Sequence, residues 1–326
     1  MRAVTLSGFG GPEVLRVGEV PTPQPGHEQL LVQVRATAIN RADTLQRKGA
    51  YPPPPGESEV LGLELAGEVA ALGPGVTGFR KGDRVFGLVG GGGYAEFALL
   101  DKDMAMRIPQ GWSFEQAAAV PEVFLTANET AFVLANLRQG ESILVHAGGS
   151  GVGTAVIQMA HHLGATVYLT AGSEDKIQRA VALGAKAGIN YKTHDFAEEI
   201  QRLTNGQGVD VVEDFLGASY LARNLACLKT NGRLVVVALM GGAKAEMDLS
   251  LLMRKRLAVF GSTLRARPLA EKRQVTRRFA ERWLPALASG AIKPIIDTVY
   301  PLAQVRAAHE AMEANKNFGK IILTLA

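Results

Sequence analysis

A chain of 326 residues with 47% hydrophobic and 20% charged residues has material for two domains, each with a sizeable apolar core. The formal charge of +4 is mild, and the only basic clusters, 254–256 (RKR) and 272–278 (KRQVTRR), read as solvated helix faces, so no nucleic-acid surface is expected. A single cysteine excludes an intramolecular disulfide and a cysteine-built metal cluster; no apolar run reaches the roughly 18 residues of a membrane span and MRAVTLSGFG lacks a signal-peptide core, so a cytoplasmic protein is expected.

Residues 1–120 are rich in strands and turns. Leu30–Ala38, Leu65–Leu72 and Tyr94–Leu100 read as strands, with glycines between them. Pro21–Gly26 is a turn, and Tyr51–Gly56 (YPPPPG) is a rigid extended loop. A compact β-rich domain of barrel type is predicted. From about Pro121 the pattern changes to alternation. A helix over Val123–Leu134 precedes strands at Ser142–His146, Thr166–Ala171, Ala187–Ile189, Val209–Glu213, Arg233–Val237 and Leu257–Phe260. Helices at Val152–Leu163, Glu174–Leu183, Asp195–Leu203 and Tyr220–Leu228 separate them, the signature of a doubly wound parallel sheet. The tail adds a long helix (270–288), a strand (295–300), a short helix (302–314) and a strand (320–325). Cys227, among Leu225, Ala226 and Leu228, reads as a buried structural thiol.

The segment 142–153, SILVHAGGSGVG, carries the most chemistry. A buried strand, a glycine-rich turn and a helix start together make a pyrophosphate site, because glycines admit the ligand to the backbone and free N–H groups face the anion. Ser150, Gly151, Val152 and Gly153 are the expected contacts. The competing reading is a tight turn without a ligand, since Gly149, Gly151 and Gly153 merely alternate and Thr154 stands where the usual fingerprint has Gly or Ala. The next strand ends Thr170, Ala171, Gly172, Ser173, with Lys176 close behind and no Asp or Glu at its tip. Small, hydroxyl and cationic groups there suit a 2′-phosphate, and hence NADPH. The six histidines give no credible metal set: His161 and His162 are neighbours that diverge on a helix, and His146 is expected to bond internally.

Six stretches, GGPEVLRVGEVPTPQPG, AINRADTLQRKGAYPPPPG, LGLELAGEV, GVTGFRKGDRVFGL, HAGGSGVGTAVIQMA and MEANKNFGKIIL, fall in an order that resembles the zinc-free quinone oxidoreductase (zeta-crystallin-like) branch of the medium-chain dehydrogenase/reductase superfamily over essentially the whole chain. HAGGSGVG, AGSEDK, NYK and ANKNFGK are most similar to its p53-inducible quinone reductase subgroup. The resemblance implies an α/β fold: a GroES-like β-rich catalytic domain over 1–122, completed by 266–326, and a Rossmann doubly wound parallel-sheet domain binding NADPH over 123–265, with a cleft between. Zinc-dependent relatives place Cys and His where this chain has Asn40 and Leu63, so no metal is expected. The implied activity is hydride transfer from NADPH to a quinone or other conjugated carbonyl acceptor by a homodimer that pairs through the apolar strand Leu257–Thr263.

Asn40, Asp43 and Tyr51 are then the expected catalytic residues: Asn40 as a donor to the acceptor carbonyl or a helix N-cap, Asp43 beside it or a surface charge, and Tyr51 as cover for a planar quinone or packing on prolines. Glu64 is expected either to hold the cleft by hydrogen bonding where relatives have a metal or to be structural. By the same resemblance, Thr126, Met240, Gly241, Ser262, Leu264, Arg265, Asn317 and Lys320 join the pyrophosphate loop as cofactor contacts, and Gly172, Ser173, Lys176 and Tyr191 surround the 2′-phosphate. Two alternatives stay open. One is reduction of a C=C bond in an enone or enoyl thioester, with Tyr51 as proton donor. The other is a crystallin-like structural or RNA-binding protein, against which the lack of a basic aromatic stripe argues.

Overall fold

The computed structural model describes residues 1–325, which divide into two compact units. The first comprises Met1–Leu125, Arg265–Ser289 and the chain from Pro294 onward; the second comprises Thr126–Leu264 and Gly290–Lys293.

In the first unit β1 (Arg2–Leu6) pairs antiparallel with β2 (Leu15–Glu19). β3 (Gln29–Ile39) is the central strand, and α1 (Arg41–Arg47) follows it at once. β4 (Glu64–Leu72), β5 (Arg84–Leu88), β6 (Phe97–Asp101) and β7 (Met106–Arg107) add antiparallel partners, with β4 and β6 both bonded to β3. α2 (Phe114–Ala118) and α3 (Pro121–Ala127) close this stretch.

The second unit alternates strand and helix: β8 (Ser142–Val145), α4 (Gly151–Leu163), β9 (Thr166–Ala171), α5 (Glu174–Ala182), β10 (Ala187–Asn190), α6 (Phe196–Leu203), β11 (Val209–Asp214), α7 (Leu221–Cys227), β12 (Leu228–Val236), α8 (Leu249–Lys255) and β13 (Ala258–Gly261). The six strands run parallel in the order β10-β9-β8-β11-β12-β13. Helices cover such a sheet on both faces, which is why Ile143, Leu144 and Val145 of β8 form an apolar run and the strand is buried throughout. The chain builds outward from β8 to β10, then crosses back to place β11 on the other side of β8. Ligands of open parallel sheets bind at that reversal, beyond the strands' carboxyl ends. His146, one residue past β8, is fully buried against Phe196 and Tyr220, and its ring nitrogens meet Thr170 Oγ1 at 2.9 Å and Asn224 Oδ1 at 2.7 Å. Burial lowers its pKa to about 4, so it is a neutral core histidine. Cys227 is buried in the same core, its thiol pushed up to about 12 by desolvation.

The chain then returns to the first unit through α9 (Leu269–Ala288), β14 (Ile296–Pro301), α10 (Val305–Glu313) and β15 (Lys320–Thr324). β15 inserts between β14 and β3, parallel to the former and antiparallel to the latter.

One predicted element changes character. The helix expected over Val123–Leu134 is α-helical only to Ala127 and widens to a π-helix over Asn128–Leu134. The Thr130 hydroxyl donates to the Thr126 carbonyl at 2.9 Å, taking the acceptor that the regular ladder uses, and Ala135 N–H bonds back to Thr130 O. The same hydroxyl bonds Glu213 Oε1 at 2.5 Å. Glu213 is fully buried, its Oε2 has no hydrogen-bond partner among the described residues, and desolvation raises its pKa to about 8. Among the described residues no helix is long and apolar enough to cross a membrane.

Candidate active site

Two separate constellations gather the predicted residues, one in each unit.

In the second unit the turn after β8 is shaped by close packing. A Cβ at Gly148 would meet the Leu169 side chain at 2.7 Å, and one at Gly153 would meet the Ala147 carbonyl oxygen at 2.5 Å. Ala147 adopts φ 49°, so the chain reverses sharply before the helix. Ser150 caps α4 by accepting from Gly153 N at 3.0 Å. The N–H groups of Gly151 and Val152 lie before any intrahelical acceptor, and the first turn of α4 carries no carboxylate. This is an anion cradle made of backbone. At the tip of β9, Gly172 lies under the Tyr191 hydroxyl: an added Cβ would sit 2.6 Å from that oxygen and 3.3 Å from Lys192 Cε. Ser173 caps α5, and Lys176 stands in its first turn. The corner therefore offers two hydroxyls and two ammonium groups, with the carboxylates of Glu174 and Asp175 exposed on the helix beyond. Lys192, which the sequence reading passed over inside NYK, belongs to this set. The loop carrying Met240 and Gly241 bonds to the one carrying Phe215 and Leu216, at the same end of neighbouring strands. Ser262 N–H bonds Val236 O just past β13, Leu264 is buried, and Thr126 is partly exposed.

In the first unit, register builds a buried polar cluster. Ile321 of β15 faces Ile39 of β3, so one antiparallel step further brings Lys320 beside Asn40. The Lys320 ammonium, 3% exposed, donates to Asn40 Oδ1 at 2.6 Å, Glu64 Oε1 at 2.8 Å and Ile39 O at 3.2 Å. Asn40 Nδ2 donates to Glu64 Oε1 at 2.7 Å, and Glu122 N–H donates to Glu64 Oε2 at 2.8 Å. Asp43, wholly buried, accepts from Asn40 N, Gly62 N and the Tyr94 hydroxyl. Desolvation raises its pKa to about 6 against those hydrogen bonds.

The structure corrects the surface-charge reading of Asp43 and gives three more of the predicted residues partners inside the unit. Asp43 is neither a surface charge nor open to a ligand, because burial and three donors commit it to fixing the start of α1. Asn40 has its amide occupied within the cluster, so its free reach toward an acceptor is small. Lys320 is a buried counter-ion to Glu64. Arg265, 6% exposed, donates to Gly90 O, Tyr51 O and Gln46 Oε1, and lies 5.4 Å from the Tyr51 ring centroid, so it clamps the YPPPPG loop. Asn317 turns its amide to Gly319 O. Tyr51 stays partly exposed. Glu122 had no signal beyond an acid at a helix start, and Leu63 is buried apolar core.

Known proteins share this architecture throughout. Residues 151–281 match the family described as Zinc-binding dehydrogenase, and residues 26–110 match Alcohol dehydrogenase GroES-like domain. The rat Quinone oxidoreductase is 34% identical over 328 residues, covering 100% of this chain and 98% of its own. The structure of Escherichia coli quinone oxidoreductase complexed with NADPH superposes with a TM-score of 0.90 at 32% identity, covering 100% of both chains. The CurK enoyl reductase structure reaches 0.88 at 29% identity, covering 100% of this chain and 99% of its own.

Proposed function

This chain belongs to the quinone oxidoreductase family of the medium-chain dehydrogenase/reductases, and from that premise we propose that it is a metal-independent NADPH:quinone reductase. The observation that supports this best is the tip of β9, where Ser173, Lys176, Tyr191 and Lys192 present hydroxyl and ammonium groups around Gly172, while the carboxylates of Glu174 and Asp175 are exposed on the first turn of α5. That donor set fits a 2′-phosphate, and the carboxylate-free start of α4 fits a pyrophosphate. Bound NADPH supplies the hydride, two electrons with a hydrogen nucleus. The chain's own residues do the rest: Ser150–Gly153 seat the pyrophosphate, Ser173, Lys176 and Lys192 seat the 2′-phosphate, and Tyr51 offers a ring to a planar acceptor. An NADPH-oxidation screen over quinones, enals and enoyl thioesters tests the reading; quinones should be turned over, and oxidation with none of the three refutes it. The likeness to CurK enoyl reductase favours C=C reduction as the second reading.

Lys320 gives the metal-independence a physical basis. Its ammonium already neutralises Glu64, so a divalent cation would have to displace it. Full activity should survive exhaustive chelation. Stoichiometric zinc by metal analysis, with activity lost on chelation, would overturn this.

A homodimer is the proposed assembly, and the cytoplasm the proposed location. β13 ends the parallel sheet, so one edge of it is unpaired in this chain. Leu239, Met240, Leu249, Met253 and Val259 are exposed in the segment around it. Light scattering should give twice the chain mass; a monomer at every concentration would exclude pairing.

A further inference from the structure

Glu122 opens α3 at the edge of the buried polar cluster, and the cluster leaves its carboxyl unused. The Asp43 oxygens take three donors, and Glu64 takes Asn40, Lys320 and the backbone N–H of Glu122. The Glu122 carboxyl itself accepts no hydrogen bond and forms no ion pair among the described residues, and the residue is partly exposed. Its electrostatic neighbours come from every side: Glu64 on β4, Lys320 on β15, Asp43 on α1, Arg265, and Tyr51 in the YPPPPG loop. The Tyr51 hydroxyl also makes no hydrogen bond among the described residues.

We propose that Glu122 is the acid of the reaction, delivering to the reduced acceptor the proton that hydride transfer leaves it lacking. This rests on the reductase reading above. Hydride addition to an enone or quinone leaves an oxyanion or enolate. The O–H bond of Glu122 breaks, the proton joins that anion, and the bonding pair stays on the carboxylate, which regains a proton from water. Hydride plus proton completes the two-electron reduction, and NADPH, the reductant, becomes NADP⁺.

The surroundings keep the carboxyl protonated at neutral pH. Desolvation and then the Glu64 charge push its pKa up to about 8, with Asp43 in the same sense and Lys320 and Arg265 opposing. An acid whose pKa lies near the working pH is suited to proton transfer. Tyr51 is less suited, because desolvation and the Glu122 charge move its phenol above the usual value.

The test compares wild type with Glu122→Gln, Glu122→Asp and Tyr51→Phe as full-length proteins. Infrared difference spectra of cofactor-free wild type should show a protonated-carboxyl band that titrates near pH 8 and is missing from Glu122→Gln, which keeps the Glu213 band. With NADPH and an enone, wild-type kcat/KM should fall as pH rises through about 8. Glu122→Gln should lose ~10²-fold in kcat and that pH limb, with NADPH binding by fluorescence unchanged. Glu122→Asp and Tyr51→Phe should keep the limb. If Glu122→Gln does not fold, the band shift and lowered kcat of Glu122→Asp serve in its place. Unaltered rate and pH profile in the variants, or an unaltered band, overturn the acid role alone. A wild type that reduces no acceptor overturns the reductase reading and this role with it.

Discussion

Replacing Lys320 with methionine should cost the first unit about 3–5 kcal/mol, the effect of stranding one member of a buried ion pair. Lys320 and Glu64 are 3% and 0% exposed and 2.8 Å apart. Without the ammonium, the Glu64 carboxylate keeps only the Asn40 amide and the Glu122 N–H as partners. Combining Lys320→Met with Glu64→Gln should recover much of the stability, because no charge then remains to be solvated. Denaturant unfolding, read on the first unit's transition, measures both variants. A loss below about 1 kcal/mol in Lys320→Met would mean that the pair is effectively hydrated.

Cofactor choice should turn on the tip of β9. A hydrogen bond to a charged group contributes about 1.5–3 kcal/mol. Removing one contact to the 2′-phosphate, as in Ser173→Ala or Lys192→Ala, should raise the KM for NADPH roughly 10- to 150-fold while NADH use barely moves. Ser173→Asp should go further, since its carboxylate repels a phosphate and accepts from a free ribose hydroxyl. Changes in the Ser150–Gly153 loop should weaken both cofactors alike, because both carry the pyrophosphate. Steady-state kinetics with the two cofactors decides the matter. A wild type that uses NADH as well as NADPH, or an unchanged ratio in Ser173→Asp, would remove the phosphate assignment.

The parallel sheet was largely legible from the residues. Its strands are short apolar runs, and the glycine turn after β8 announces itself because two of its glycines have no room for a Cβ. Thr166–Ala171 matches to the residue. β12 starts five residues earlier than Arg233, since Val209 pairs with Leu228 across a register shift. Such irregularity has no sequence period. The site was less legible. Lys320 in FGKIIL reads as an ordinary strand-end lysine; only the pairing of Ile321 with Ile39 buries it beside Asn40. Arg265 likewise owes its role to partners more than 170 residues away, at Gly90, Tyr51 and Gln46. Glu122 and Glu213 have unremarkable local sequence, and their character comes from desolvation, joined at Glu122 by the Glu64 charge.

The position of β15 bears on how the chain comes to be assembled. This strand fills the gap between β14 and β3, and Leu323 pairs with Thr37, some 286 residues earlier in sequence. A ribosome that has made the chain as far as Leu264 has already supplied all six strands of the parallel sheet. It has not supplied β15, nor the lysine that neutralises Glu64. The unit that contains β3 is thus the one that must wait, with Ala36–Ile39 of β3 lacking the partner that β15 brings and a long loop closure still ahead. Vectorial synthesis and the usual order of amino-terminal unit first are here at odds. The nascent form of this protein presents the Ala36–Ile39 end of β3 unpaired, the kind of surface that chaperones exist to shield, until β15 emerges.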